Sequence, residues 1–168
     1  TNTGPLPQWL VAHDFSPSAD AAARLAARDL IEKGESATIV LCHVYQVMPL
    51  PTGFDGAVPG GGIVTLERAV AVETTRRLER AAEELRHEIA KLRVMKGVDA
   101  AEIEVEVCVR QDAPADGILA EAKERNVERI TVGTHGRKGL SHLLLGSVAE
   151  RIVRLAHVPV LVVKGVVG

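Results

Sequence analysis

The chain has 168 residues, enough for one domain with a sizeable core. Apolar residues make up 46% of it and aromatic ones only 2%, so valine, leucine, isoleucine and alanine must fill that core. The formal net charge is −2 with signs mixed throughout, which leaves no basic stripe for a nucleic-acid backbone. No apolar run nears the ~18 to 20 residues of a membrane span. Thr1 to Gln8 is polar, with Gly4, Pro5 and Pro7, and lacks the charged and apolar regions of a signal peptide. A cytoplasmic protein is therefore expected. Cys42 and Cys108 sit in strand-like stretches without CxxC spacing and read as two reduced, buried thiols. A disulfide or metal pair is the alternative.

Trp9-Leu10-Val11-Ala12 is a short apolar strand that ends at His13-Asp14-Phe15-Ser16. Ser16 before Pro17 predicts a helix N-cap and first helical position. Ala22, Leu25, Ala26 and Leu30 share roughly one face of that helix, and Gly34 stops it. Ala37 to Val44 is nearly continuous and β-branched, the pattern of a strand covered on both faces in a parallel sheet. Residues 46–64 carry Pro49, Pro51, Gly53, Gly56, Pro59 and Gly60-Gly61-Gly62 and predict a flexible insertion or lid. No Lys-Ser or Lys-Thr follows the glycine triplet, and no GxxxxGK[ST] occurs anywhere, so a Walker-type phosphate loop is excluded.

A long helix is predicted from Leu66 to Met95, with Val70, Thr74, Leu78, Ala81, Ala82, Leu85, Ile89 and Leu92 at spacings of threes and fours. Arg, Glu and Lys pairs solvate its other side, and Gly97 closes it. Ile103 to Val109 alternates almost strictly, with glutamates outward, which predicts an edge strand with one wet face. Asp112 and Pro114 open the next helix, whose apolar stripe is Ile118, Leu119 and Ala122, and Asn126 ends it. A strand Arg129 to Val132, a glycine-rich loop, a helix Val148 to Ala156 and a strand Val158 to Val163 complete the chain. Strand and helix alternate to the last strand, which implies one α/β domain over 1–168: a parallel sheet, helices on both faces, right-handed crossovers.

The stretch Val132-Gly133-Thr134-His135-Gly136-Arg137-Lys138-Gly139, continuing to Gly146-Ser147-Val148, joins a strand end to a helix start. Glycine admits positive φ and close backbone approach. A helix start offers unpaired N–H groups and the positive end of a dipole, which favour a phosphate. A nucleotide phosphate between the two is expected, with a purely structural connector as the alternative. In open α/β sheets ligands settle beyond the carboxyl ends of the strands, where strand order reverses. Ala12-His13-Asp14, Cys42-His43-Val44 and Val132 to Gly136 would meet there. Asp14 would accept hydrogen bonds from ribose hydroxyls, the backbone around Val44 would meet an adenine edge, and Ser147 would donate to a phosphate. His135, Arg137 and Lys138 either meet phosphate charge or face solvent. His13 and His43 fall at neighbouring strand ends but are too few for a metal site. No Ser-His-Asp set or carboxylate pair stands at a demanding spacing, so no catalytic residue is assigned.

The pattern Gly133-x2-Gly136-x9-Gly146-Ser147, with Val158-Pro159-Val160-Leu161-Val162-Val163 after the last helix, resembles the universal stress protein family, in the branch whose members bind ATP. The resemblance runs from Trp9 to Lys164. It implies a Rossmann-like sheet of five parallel strands in the order 3-2-1-4-5, as in adenine nucleotide alpha hydrolases. Carried over residue by residue, Ala12, His13 and Asp14 would line the ribose and adenine side and Val44 would touch adenine. Val132 and Gly133 would flank ribose and phosphates, and Gly136, Gly146, Ser147 and Val148 would hold the phosphates. The expected ligand is ATP with Mg2+ or Mn2+ bridging its phosphates, Asp14 or waters completing the ion's shell. The family's usual dimer pairs last strands, here Val158 to Val163. One departure is that many relatives carry a glycine within the segment 110–114, where this chain has Arg110-Gln111-Asp112-Ala113-Pro114. The function implied is a nucleotide-dependent stress-response regulator or switch. The alternatives are a slow ATPase or other adenine-nucleotide hydrolase, and a dimeric scaffold without nucleotide.

Overall fold

A computed structural model of the chain describes residues 4–47, 62–97, 101–134 and 145–164, of which 62–66 are described by backbone alone. Strands β1 (Gln8–Ala12), β2 (Ala37–Tyr45), β3 (Ile103–Gln111), β4 (Arg129–Gly133) and β5 (Val160–Val163) alternate with helices α1 (Pro17–Lys33), α2 (Gly62–Lys96), α3 (Pro114–Glu124) and α4 (Ser147–Leu155). Every adjacent pair is parallel, and the order is β3-β2-β1-β4-β5, as the family resemblance implied. β3 is therefore an edge, where its alternating glutamates put it.

β1 is central and covered on both faces. Trp9 and Val11 enter a layer with α1 and α2, while Leu10 enters the opposite layer with α3 and α4. Helix α1 lies close to the sheet because its inner face is built of small residues: Ala22, Ala23, Ala26 and Ala27 are buried, followed by Leu30 and Ile31. Each of those two larger side chains contributes ~1.5–3 kcal/mol by leaving water. The helix starts as its sequence predicts, with Ser16 Oγ accepting the N–H of Ala19 at 3.2 Å and Pro17 in the first position. It stops at Gly34, whose N–H returns to the carbonyls of Leu30 and Ile31. In α2, Leu78, Ala82, Leu85 and Ile89 form the buried stripe against α1 and the sheet.

Several boundaries differ from prediction, most by one or two residues. Helix α2 begins at Gly62 rather than Leu66, since a glycine at a helix end costs less than one in its interior. The other predicted insertion residues that are described, Gln46 and Val47, follow β2, and 48–61 lie outside the described residues. β5 begins at Val160 rather than Val158, because Pro159 has no N–H for the ladder; its carbonyl still accepts the N–H of Ile130 at 3.0 Å. Helix α3 is preceded by Asp112, whose Oδ1 accepts the N–H of Ala113 at 2.8 Å, but Ala113 is the N-cap and supplies no side-chain bond. At its other end Asn126 adopts φ 51°, a left-handed conformation that asparagine tolerates.

Cys42 is buried and Cys108 half-buried, and they are register partners across β2 and β3. Beside Cys108, Glu121 of α3 accepts Arg125 Nε at 2.7 Å and Arg110 Nη1 at 3.1 Å. Burial pushes the Glu121 carboxyl upward, but hydrogen bonds from Arg125, Cys108 and Arg110 outweigh it and hold the group below its usual value of 4.5. A carboxyl depressed on folding stabilises the native state above its ordinary pKa, and that contribution is lost as pH falls through the folded value. The melting temperature should therefore decline on acidification below about pH 4. Glu121→Gln should lower it at neutral pH and flatten that acid slope in a thermal-melt series. An unaltered slope would show that Glu121 carries no such linkage.

Candidate functional site

Strand order reverses at β1, which has β2 on one side and β4 on the other. The chain leaves β1 through a turn at 13–16 that is held from several sides. The His13 N–H donates to the Cys42 carbonyl at 2.8 Å, and His43 Nδ1 donates to the His13 carbonyl at 2.6 Å. The ring Nδ1 of His13 accepts the Phe15 N–H at 3.1 Å, which leaves the proton on Nε2 to reach Asp20 Oδ1 at 3.0 Å. Asp14 Oδ1 accepts the Ser16 N–H at 3.0 Å. Phe15 takes φ 65°, a conformation that costs ~1–3 kcal/mol in a non-glycine residue and persists only where surroundings over-determine it. Those surroundings are the His13 and His43 rings, with centroids 5.5 and 4.5 Å away, and the Arg77 guanidinium 4.1 Å from the Phe15 centroid.

Half-buried Asp14 thus stands at the carboxyl end of β1. His13 stands there too, but it is buried and its ring serves the turn and the first turn of α1. A cavity of about 180 Å³ adjoins that ring between α1 and α2, lined by Asp20, Leu41, Leu85 and Glu88 among others, and touches neither Val44, Val132 nor the start of α4. At the end of β2, Val44 is backed by α3, where a Cβ on Gly117 would come within 2.6 Å of Val44 Cγ1. Ala12 is half-buried and Val132 buried at the neighbouring strand ends.

The end of β4 and the start of α4 meet directly. Thr134 N–H donates to the Val163 carbonyl at 2.9 Å, and the Thr134 carbonyl accepts the Gly146 N–H at 3.0 Å. Both flanking glycines have identifiable packing reasons. A Cβ on Gly133 would lie 2.6 Å from Ser18 Oγ of α1, and one on Gly146 would lie 2.8 Å from the Thr134 carbonyl oxygen. Gly146 has φ −58°, so close approach and not a left-handed backbone is what it provides. Gly146 is the N-cap of α4 and supplies no side-chain bond to the first turn, while Ser147 and Val148 are exposed. The first N–H groups of a helix have no partner within the helix itself.

Ala12, Asp14, Val44, Val132 and Gly133 fall at or just past the carboxyl ends of β1, β2 and β4, and the Thr134 bond brings Gly146, with Ser147 and Val148 following it, to the end of β4. Gly136, with His135, Arg137 and Lys138, lies outside the described residues. Among the described residues, no group of three or more His, Cys, Asp or Glu side chains could hold a metal ion. Sequence reasoning missed Ser18, Thr134 and the Phe15–Arg77 contact. Thr134 acts through its backbone and leaves no side-chain signal, and Ser18 is recognisable only once α1 is docked on β4.

A family model described as the universal stress protein family matches residues 8–164. A universal stress protein of Thermus aquaticus is 30% identical over 155 residues, covering 92% of this chain and 96% of that protein. The match to one of Methanocaldococcus jannaschii is 39% identical but spans only 42% of that protein's length. Among solved structures, the universal stress protein from Archaeoglobus fulgidus in complex with dAMP superposes with a TM-score of 0.55 at 25% identity, over 95% of this chain and 98% of that one. A universal stress protein in complex with cAMP shares the fold, with a TM-score of 0.54 at 20% identity over 96% and 99% of the two chains.

The clasp between Thr134 and Gly146 makes a prediction about stability. Gly146→Ala should cost about 1–3 kcal/mol, because a methyl must displace the Thr134 carbonyl. Ser147→Ala, at an exposed position beside it, should leave the melting temperature nearly unchanged. Equal melting temperatures for both variants would show that the clasp does not hold the fold.

Proposed function

The chain belongs to the universal stress protein family, and from that membership we propose that it binds ATP beyond the carboxyl ends of β1, β2 and β4 and acts as a nucleotide-dependent switch in the cytoplasm. One observation carries the reading: Thr134 clasps Gly146, so the uncapped start of α4 stands at the end of β4, across the reversal point from Asp14. Adenine would lie against Ala12 and Val44, ribose hydroxyls would donate to Asp14, and the phosphates would rest on Gly146, Ser147 and Val148 with Gly136. The relatives crystallised with dAMP and with cAMP support an adenine nucleotide. The triphosphate rests on the spacing of Gly133, Gly136, Gly146 and Ser147. Mg2+ is commonly held by one or two carboxylates and the substrate phosphates, and Asp14 would supply such a carboxylate here.

Ser147→Asp separates binding from folding. A carboxylate in the first turn of α4 favours the helix by ~0.3–1 kcal/mol and repels phosphate. ATP affinity should drop at least about tenfold, a loss of ~1.4 kcal/mol, while the melting temperature without ligand holds or rises. Unchanged affinity by calorimetric titration would overturn the proposed phosphate position. The packing roles of Gly133 and Gly146 favour a second reading, a scaffold without nucleotide. Absence of ATP, AMP and cyclic AMP binding by the unaltered chain would establish that reading instead.

The same reading includes a homodimer across β5. This strand is an edge of the sheet, Leu161 is exposed on it, and Val153 and Leu155 of α4 are exposed alongside. An exposed apolar edge invites pairing with another chain, and a charge there blocks it. Leu161→Lys should convert a dimer to a monomer in sedimentation velocity, whereas an unaltered sedimentation coefficient would place the interface elsewhere.

A further inference from the structure

Cys42 and Cys108 are separated by the whole of α2 in the chain but stand opposite one another in the β2–β3 register. In-register residues on adjacent strands are about 4.8 Å apart at Cα, inside the ~4.4–6.8 Å range that disulfides span. Both side chains enter the same layer, under α3. Their exposure differs. Cys42 is fully buried, while Cys108 lies half-buried on the edge strand.

The surroundings distinguish the two sulfurs further. Cys108 is held below the ordinary thiol value chiefly by the hydrogen bond from Cys42, with Arg125 adding to it against burial and the Glu121 carboxylate. Cys42 is pushed far up by the same contact and by burial. Cys108 is thus the more readily ionised thiol of the pair, and Cys42 holds its proton more tightly. A reactive thiol beside a resolving one is the arrangement that carries sulfenic acid on to disulfide.

We propose that Cys42 and Cys108 are an oxidative modification site, at which hydrogen peroxide or an organic hydroperoxide closes a reversible disulfide between β2 and β3. The Cys108 thiolate attacks the peroxide oxygen, the O–O bond breaks, and Cys108 becomes a sulfenic acid while hydroxide or alkoxide leaves and takes a proton. Cys42 sulfur then attacks Cys108 sulfur. The S–S bond forms, the S–O bond breaks, and the departing hydroxide leaves as water with the Cys42 proton. The two thiols lose two electrons and the peroxide gains them. A dithiol reductant reverses the change.

The test exposes the full folded chain to hydrogen peroxide, quenches it in acid, and alkylates it in denaturant before intact-mass analysis and peptide mapping. Two alkylatable thiols should fall to none, with loss of the mass of two hydrogens, a mapped 42–108 link, and recovery on reduction. In Cys42→Ser, Cys108 should instead gain a sulfenic acid trapped by a 1,3-dione probe. In Cys108→Ser, Cys42 should stay unreacted. Persistence of both thiols in the unaltered chain would overturn the proposal. So would oxygen adducts on Cys108 without a link, or a disulfide only between two chains.

Discussion

The carbonyl of Thr134 accepts the N–H of Gly146 at 3.0 Å, while the N–H of the same residue donates to Val163 at 2.9 Å. Through one peptide unit on either side, three elements are tied: β4 to β5 by the ladder, and β4 to α4 by the clasp. A backbone N–H and carbonyl are strong pairing groups, and each such bond fixes the elements it joins. Here the clasp aims the start of α4 at the carboxyl end of the sheet. Ser18, packed where a Cβ of Gly133 would stand, brings α1 to the same place from the other layer.

That convergence gives the glycines two roles at once. Between α1 and β4, and between β4 and α4, there is no space for a side chain at 133 or 146. A nucleotide-binding crevice needs small residues where a backbone must approach a phosphate, and a tight α/β junction needs them where backbones approach one another. Both requirements select glycine. Packing would by itself select glycine at these two positions, so beside the glycine spacing the proposed chemistry draws on Asp14, Ser147 and the uncapped helix start. His13 shows the same division. Its ring holds Asp20 and the Phe15 N–H, and the turn it stabilises is what carries Asp14.

Much of this was legible in the residue pattern. The Ser16-Pro17 start, the Gly34 stop and the strict alternation of Ile103 to Val109 each have a local cause, and a local cause is what a sequence records best. The strand order came from the family resemblance, since periodicity alone says nothing about which strands are neighbours. What escaped was non-local or carried by backbone atoms. Cys42 and Cys108 look unrelated until the β2–β3 register sets them opposite each other. Pro159 delays β5 because its missing N–H matters only once Ile130 is its neighbour. Phe15 takes a left-handed backbone for no reason visible in its own identity, since His43 and Arg77 stabilise it from elsewhere in the fold.

Helix α4 brings the proposed ligand and the proposed partner surface together. It has nine residues, too few to be stable alone in water, and of these Ala149 and Ile152 are the buried anchors. Its start carries a partial positive charge with no side-chain cap, so an anion there would stabilise the helix as well as bind to it. Any ligand bound only by the ordered form shifts the equilibrium toward order in proportion to its concentration over Kd. The other end of the same helix carries exposed Leu155, and β5 with Leu161 follows it in the chain. An ordering free energy supplied at Ser147 would thus be felt at Leu155, the other end of the helix, just before the edge where a second copy would pair. In the proposed switch, a short helix of this kind would transmit occupancy because its own stability is small compared with what a phosphate would contribute.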